Sequence, residues 1–147
     1  MLDRLLLLTA NGLFGPVALD TIAPLARVMT ERRYAAGETL WSAGDVTEHG
    51  VVVASGTIHC TQPDGRTADA LATTTVGFLD HLVLEQMSFT AVAATAVTVL
   101  TLPVQTLVEA METHEDLASA VIQGMASVVV ELPVLVEARD VLEAESM

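Results

Sequence analysis

Val51-Val52-Val53-Ala54-Ser55-Gly56-Thr57-Ile58 decides the fold. A β-branched run, a Ser-Gly step and a second β-branched run spell strand, sharp reversal, strand, because glycine reaches backbone conformations closed to other residues. The surrounding sequence repeats that pattern. Downstream, the run at 57–61 leads to Pro63-Asp64-Gly65, a hairpin signal, since aspartate and glycine tolerate the positive φ of a tight turn. Further runs stand at 39–41 and 91–102, and Gly37, Gly44, Gly50, Gly65 and Gly77 punctuate the same region. Short strands at near-regular spacing predict a compact β-sandwich or barrel over residues 34–102. Residues 78–86 stand apart as one or two helical turns between strands.

Both flanks read as helix. In residues 1–33, Leu2, Leu5, Leu6 and Leu8 supply one apolar stripe, interrupted at Asn11-Gly12. Leu19, Ile22, Leu25, Ala26 and Met29 then recur at helical spacing, with Pro24 either just inside the start of that helix or kinking it. In residues 103–147, Thr113 and Asp116 resemble a capping box, and Leu117, Val121, Met125 and Val128 run down one face. Pro133 breaks or bends this helix ahead of a second acidic segment. The expectation is one domain over 1–147: helices at 1–33, strands at 34–102 and helices at 103–147.

Composition narrows the function. Apolar residues make up 52% of the 147, yet aromatics only 3%, so the core is aliphatic. Nineteen acids face six bases, all arginine, for a formal charge of −13. Such a surface repels a phosphate backbone, so no nucleic-acid partner is expected, and an anionic membrane surface is disfavoured likewise. The apolar run at 5–8 is far too short to span a bilayer and lacks the flanks of a signal peptide. Cys60 is the single cysteine, which excludes an internal disulfide and agrees with a reducing cytoplasm.

The order of these motifs resembles the cyclic nucleotide-binding domain over about residues 13–130. Ala36-Gly37-Glu38-Thr39-Leu40 is similar to that family's turn into its β-roll, and Ala43-Gly44-Asp45 to its second turn. The Val51 to Ile58 stretch is similar to its strand–Ser-Gly–strand hairpin, and Leu13-Phe14 to its lead-in. The resemblance implies a mainly β fold, a jelly-roll-like β-roll flanked by N-terminal and C-terminal helices. It also implies a non-catalytic regulatory or interaction module, in which ligand occupancy or partner contact moves the C-terminal helix.

The ligand cassette departs from the family pattern. There, a Phe-Gly-Glu-aliphatic segment opens a short helix, and an arginine follows ten or eleven positions after the glycine. Here the segment is Val76-Gly77-Phe78-Leu79, with Phe78 in place of the glutamate. Eleven positions past Gly77 stands Ser88, followed by Phe89 and Thr90. Gly77, Phe78, Leu79, Ser88, Phe89 and Thr90 are therefore the candidate ligand-binding residues, in degenerate form. Charge-assisted bonds contribute about 1.5–3 kcal/mol each, so losing both implies loss of ordinary cAMP and cGMP binding. Phe78 is expected to fill the emptied pocket, and Phe78→Glu with Ser88→Arg to raise affinity, provided that the pocket has not collapsed.

Two rival readings accompany this one. The domain could be a true sensor of a cyclic nucleotide or other anion, using backbone amides with Ser88 and Thr90. It could instead be a small metal-binding β-barrel enzyme using His49, His59 or His81. Against the latter, the His-x-His spacing of the cupins is absent, and His59 and Cys60 fall on opposite strand faces. Asp80-His81 reads as helix capping rather than proton transfer, and Cys60 as a buried apolar residue. No catalytic residue, metal ligand or cofactor is assigned. As partner, the apolar stripe over 114–132 favours a homodimer, with another protein as the substitute and the acidic end splayed into solvent.

Overall fold

The chain turns a corner at Gly56. In the computed structural model, which describes residues 2–11, 14–78 and 86–131, β3 (His49–Ser55) and β4 (Ile58–Thr61) flank that glycine and belong to different sheets. Gly56 has φ +86°, and a Cβ there would stand 2.2 Å from the Ala96 carbonyl oxygen. Thr57 sews the corner shut: its N–H donates to Thr95 Oγ1 at 3.1 Å and its carbonyl accepts from Ala94 N–H at 2.9 Å.

Around this corner the elements follow in the order α1 (Leu2–Ala10), α2 (Leu19–Val28), β1 (Thr30–Tyr34), β2 (Thr39–Trp41), β3, β4, β5 (Thr67–Ala70) and β6 (Thr75–Val76). Then come β7 (Thr90–Ala93), β8 (Val97–Pro103), α3 (Val104–Thr113) and α4 (Glu115–Glu131). Two antiparallel four-stranded sheets result, β1-β8-β3-β6 and β2-β7-β4-β5. The expected β-roll between helices is the observed fold.

Two cores explain why the valine run does not alternate. Val51 and Val53 face the second sheet and join Ile58, Cys60, Val97 and Val99 in the inter-sheet core. Val52, between them, faces outward into a second core with Leu8, Phe14, Ile22, Leu100, Leu107 and Leu117. The first sheet is covered on both faces, so apolar residues occupy successive positions. The second sheet has one wet face, so β4 alternates: Ile58 and Cys60 are buried, His59 and Thr61 only partly.

The helical layer is tied down by polar contacts that periodicity does not reveal. Arg4 donates from Nη1 to the carbonyls of Ala26 at 2.8 Å and Met29 at 2.7 Å, satisfying acceptors at the end of α2. That helix starts at Leu19 and runs through Pro24. The backbone is extended again at Met29, so the sheet begins at Thr30, not at Tyr34 as expected. Thr30, Glu31, Arg32 and Arg33 are all exposed, which removes the alternation that would have marked β1. The run at 91–102 is likewise two strands, separated at 94–96.

The expected capping box does not form. Thr113 Oγ1 donates to the Ala110 carbonyl at 3.2 Å, while the Asp116 carboxylate reaches across to α2. Asp116 Oδ2 accepts from Ala18 N–H at 3.2 Å and from Thr21 Oγ1 at 3.4 Å. The Ala18 N–H, foremost, holds this carboxyl below its ordinary range. A depressed folded-state pKa contributes stability above the unfolded value and loses it as pH falls through the folded one. Asp116→Ala should therefore lower the urea midpoint at pH 7, and its difference from the parent should shrink below about pH 4. Asp64, depressed by the Arg66 backbone N–H, retains part of the acid response in both proteins. A difference independent of pH would refute the assignment.

The helix stripe also needs correction. Leu117 and Val121 belong to the helix-side core, and Val121 is 1% exposed. These two residues are covered by their own chain, because α3 and α4 fold back over the first sheet. Met125, Val128 and Val129 have side chains outside the described residues, as does Leu132 entirely.

Candidate functional site

The candidate site starts where β6 ends. Gly77 has φ +90°, and its backbone lies against the Trp41 ring: a Cβ at Gly77 would stand 3.3 Å from Trp41 Cη2 and 3.2 Å from Met87 Cε. The positive φ favours glycine, and a Cβ there would crowd both side chains. The turn sends the next side chain out of the roll.

Phe78 consequently does not fill the roll pocket. It is 5% exposed, in the helix-side core, with its ring edge-on to Phe14 at a centroid distance of 6.4 Å and 80° between planes. Gly50 lies against the same ring, since a Cβ there would stand 2.5 Å from its carbons. Simple strand alternation from Val76 does not survive the positive φ at Gly77.

Trp41, Met87 and Phe89 occupy the inter-sheet space instead. Trp41 meets Phe89 edge-to-face, with centroids 5.7 Å apart. Of the positions ten and eleven past Gly77, it is Met87 whose side chain enters the roll; Ser88 is half-buried between two inward residues. Thr90 Oγ1 accepts from Ala43 N–H at 3.0 Å. Leu79, Asp80 and His81 lie outside the described residues.

The loop at 42–45 is stapled to this segment. Gly44 N–H donates to the Met87 carbonyl at 2.8 Å, and Met87 N–H returns to the Asp45 carbonyl at 2.9 Å. Asp45 Oδ2 accepts from Ser42 N–H at 2.8 Å. Amides that could have cradled an anion here already donate within the protein. No arginine joins the inter-sheet core among the described residues: Arg4 serves α2, and Arg66 Nε pairs with Asp64 at 2.7 Å. Arg27, Arg32 and Arg33 are exposed.

The other candidates disperse. His59 Nδ1 meets Asp69 Oδ1 at 2.6 Å, across the β4–β5 register on the outer face of the second sheet. His49 is half-buried at the start of β3, and no cluster of three metal-ligating side chains occurs among the described residues. Burial, foremost, and the charge of Asp69 push the Cys60 thiol up to about 12, so it stays protonated and unreactive.

Sequence reasoning missed two residues. Gln62 continues the inward set of β4 one step beyond Cys60, and the Thr61–Thr90 pairing brings it beside Phe89. Trp41 and Gln62 are each 6% exposed, and among the described residues neither Trp41 Nε1 nor Gln62 Nε2 has a hydrogen-bond partner. The signal was present: polar Gln62 falls in phase with Ile58 and Cys60.

The profile of the cyclic nucleotide-binding domain matches residues 31–114, more than half of the 147. The chain belongs to the cyclic nucleotide-binding domain family. Among solved structures, it resembles the N-terminal domain of a transcriptional regulator from Streptomyces coelicolor A3(2), with TM-score 0.68 and 27% identity over 82% of this chain and 90% of that one. The catabolite activator protein of Thermus thermophilus gives 0.73 at 21% identity, over 92% and 63%. The regulatory domain of Toxoplasma gondii PKA, crystallised with cAMP, gives 0.66 at 20%, over 71% and 42%. The last two likenesses show the fold alone. No curated protein sequence matches the chain. No described helix is long and apolar enough to cross a membrane.

Proposed function

We propose that this chain is a non-catalytic regulatory domain that has given up the family's ionic recognition of cAMP and cGMP. One observation carries the reading. The side chain at the cassette's glutamate position, Phe78, is built into the helix-side core, and the residue entering the roll ten positions past Gly77 is a methionine. A cyclic phosphate in that roll would be desolvated against Trp41, Met87 and Phe89, and burying a charge without a partner is strongly unfavourable.

On this reading the whole chain, 1–147, is one cytoplasmic domain. Its charge of −13 keeps it off nucleic acid, and its partner is a second copy met through α4, where Ile122 is 66% exposed. Calorimetry with cAMP and with cGMP should give dissociation constants weaker than about 10 μM. Tighter binding of either nucleotide would defeat the reading.

A further inference from the structure

We infer that the roll binds a small uncharged molecule that offers a hydrogen-bond acceptor, a carbonyl-type oxygen, to Trp41 Nε1 and Gln62 Nε2. The inference rests on the reading above, in which the roll has lost its ionic groups, and it names what chemistry the roll retains.

Two orphaned donors carry it. An indole N–H and a carboxamide N–H are each more than nine-tenths buried without a partner among the described residues. Buried donors are ordinarily satisfied, so each such group calls for an explanation. These two are not scattered. Gln62 follows Cys60 on the inward face of β4 and is brought beside Phe89 by the Thr61–Thr90 register. Phe89 in turn packs edge-on against Trp41. The Cζ2 edge of the indole, the edge next to its nitrogen, lies toward Gly77. Both donors thus belong to the end of the roll where the cassette begins.

The surroundings select the ligand's charge and polarity. The neighbours are Met87, Phe89 and the Gly77 backbone, none of them charged. Two donors with no cation suit a neutral oxygen, and the aromatic and thioether surfaces suit an apolar body beside it. A phosphate or carboxylate would bring a full charge into the same place with nothing to balance it.

Trp41 is the only tryptophan, so its indole N–H gives a single unambiguous resonance in the full ¹⁵N-labelled chain. Acetophenone, titrated to about 5 mM, should move that resonance downfield, whereas toluene, its counterpart without the acceptor, should not. Gln62→Leu should weaken acetophenone binding about tenfold or more, read on the same resonance. In the absence of probe it should raise the melting temperature, because an unsatisfied buried donor is gone and the fold is preserved. The inference is overturned if acetophenone leaves the resonance in place, if toluene shifts it equally, or if Gln62→Leu binds acetophenone as tightly as the parent. A cAMP titration on the same sample is a separate arm. Micromolar cAMP binding would defeat the proposed function, while the ketone–hydrocarbon comparison judges the neutral site by itself.

Discussion

Phe78→Glu is expected to destroy the folded state rather than to restore a nucleotide site. The ring lies in the helix-side core, edge-on to Phe14 and against the Gly50 backbone. Removing a buried phenylalanine destabilises by about 3–5 kcal/mol through lost transfer energy and the cavity left behind. The glutamate adds an unpaired carboxylate in the same apolar place, which either stays charged at high cost or takes up a proton. A domain of this size has about 5–15 kcal/mol of stability in all, so little or none should remain. Circular dichroism with urea denaturation should find no folded baseline, or a loss above about 4 kcal/mol. Phe78→Leu, which stays apolar, should cost only about 1–2 kcal/mol. Adding Ser88→Arg offers no rescue, because the inward position beside Gly77 belongs to Met87. A folded, near-native Phe78→Glu would mean the ring is not where the structure places it.

Gly56→Ala should be nearly as damaging, for a backbone reason. Two penalties combine there: φ is +86°, and the new Cβ would stand 2.2 Å from the Ala96 carbonyl oxygen, well inside contact distance. The corner between the sheets would have to open, breaking the Thr57 bonds to 94 and 95. The expected loss is about 3 kcal/mol or more. Gly37→Ala is the matched control. It has φ +89° but nothing within 4 Å of its Cβ, so only the conformational cost applies, about 1 kcal/mol. Equal losses in urea denaturation would show that positive φ alone governs both sites.

These residues also show what is legible in a sequence and what is not. Ser55-Gly56 and Asp64-Gly65 announce reversals because positive φ selects glycine, and both glycines have it. The all-exposed β1 leaves no alternation to read, and the doubly covered β3 reads as a plain apolar run. Asp116 looks like a local cap because its true partners, Ala18 and Thr21, lie about a hundred positions away in sequence. At the site, the substitution of both ionic residues is visible in the chain, whereas the destination of Phe78 is not. It depends on how far one glycine turns the backbone. Trp41 and Gln62 escape notice for the opposite reason, since hydrogen-bond bookkeeping exists only once neighbours are known.

Among the described residues the two sheets leave four edge strands, and each is poorly suited to growth. β1 presents Glu31, Arg32 and Arg33 to solvent. β6 is two residues long and β2 three, too short to template a neighbour. β5 spans four residues and carries exposed Asp69. Charge and brevity at the margins of a sheet discourage strand addition from another molecule, the route by which valine-rich chains drift into amyloid-like stacks. Of the seven valines in the chain's described strands, five lie in the inner strands β3 and β8, while the margins are charged or short. Resistance to aggregation is thus written into the order of its strands.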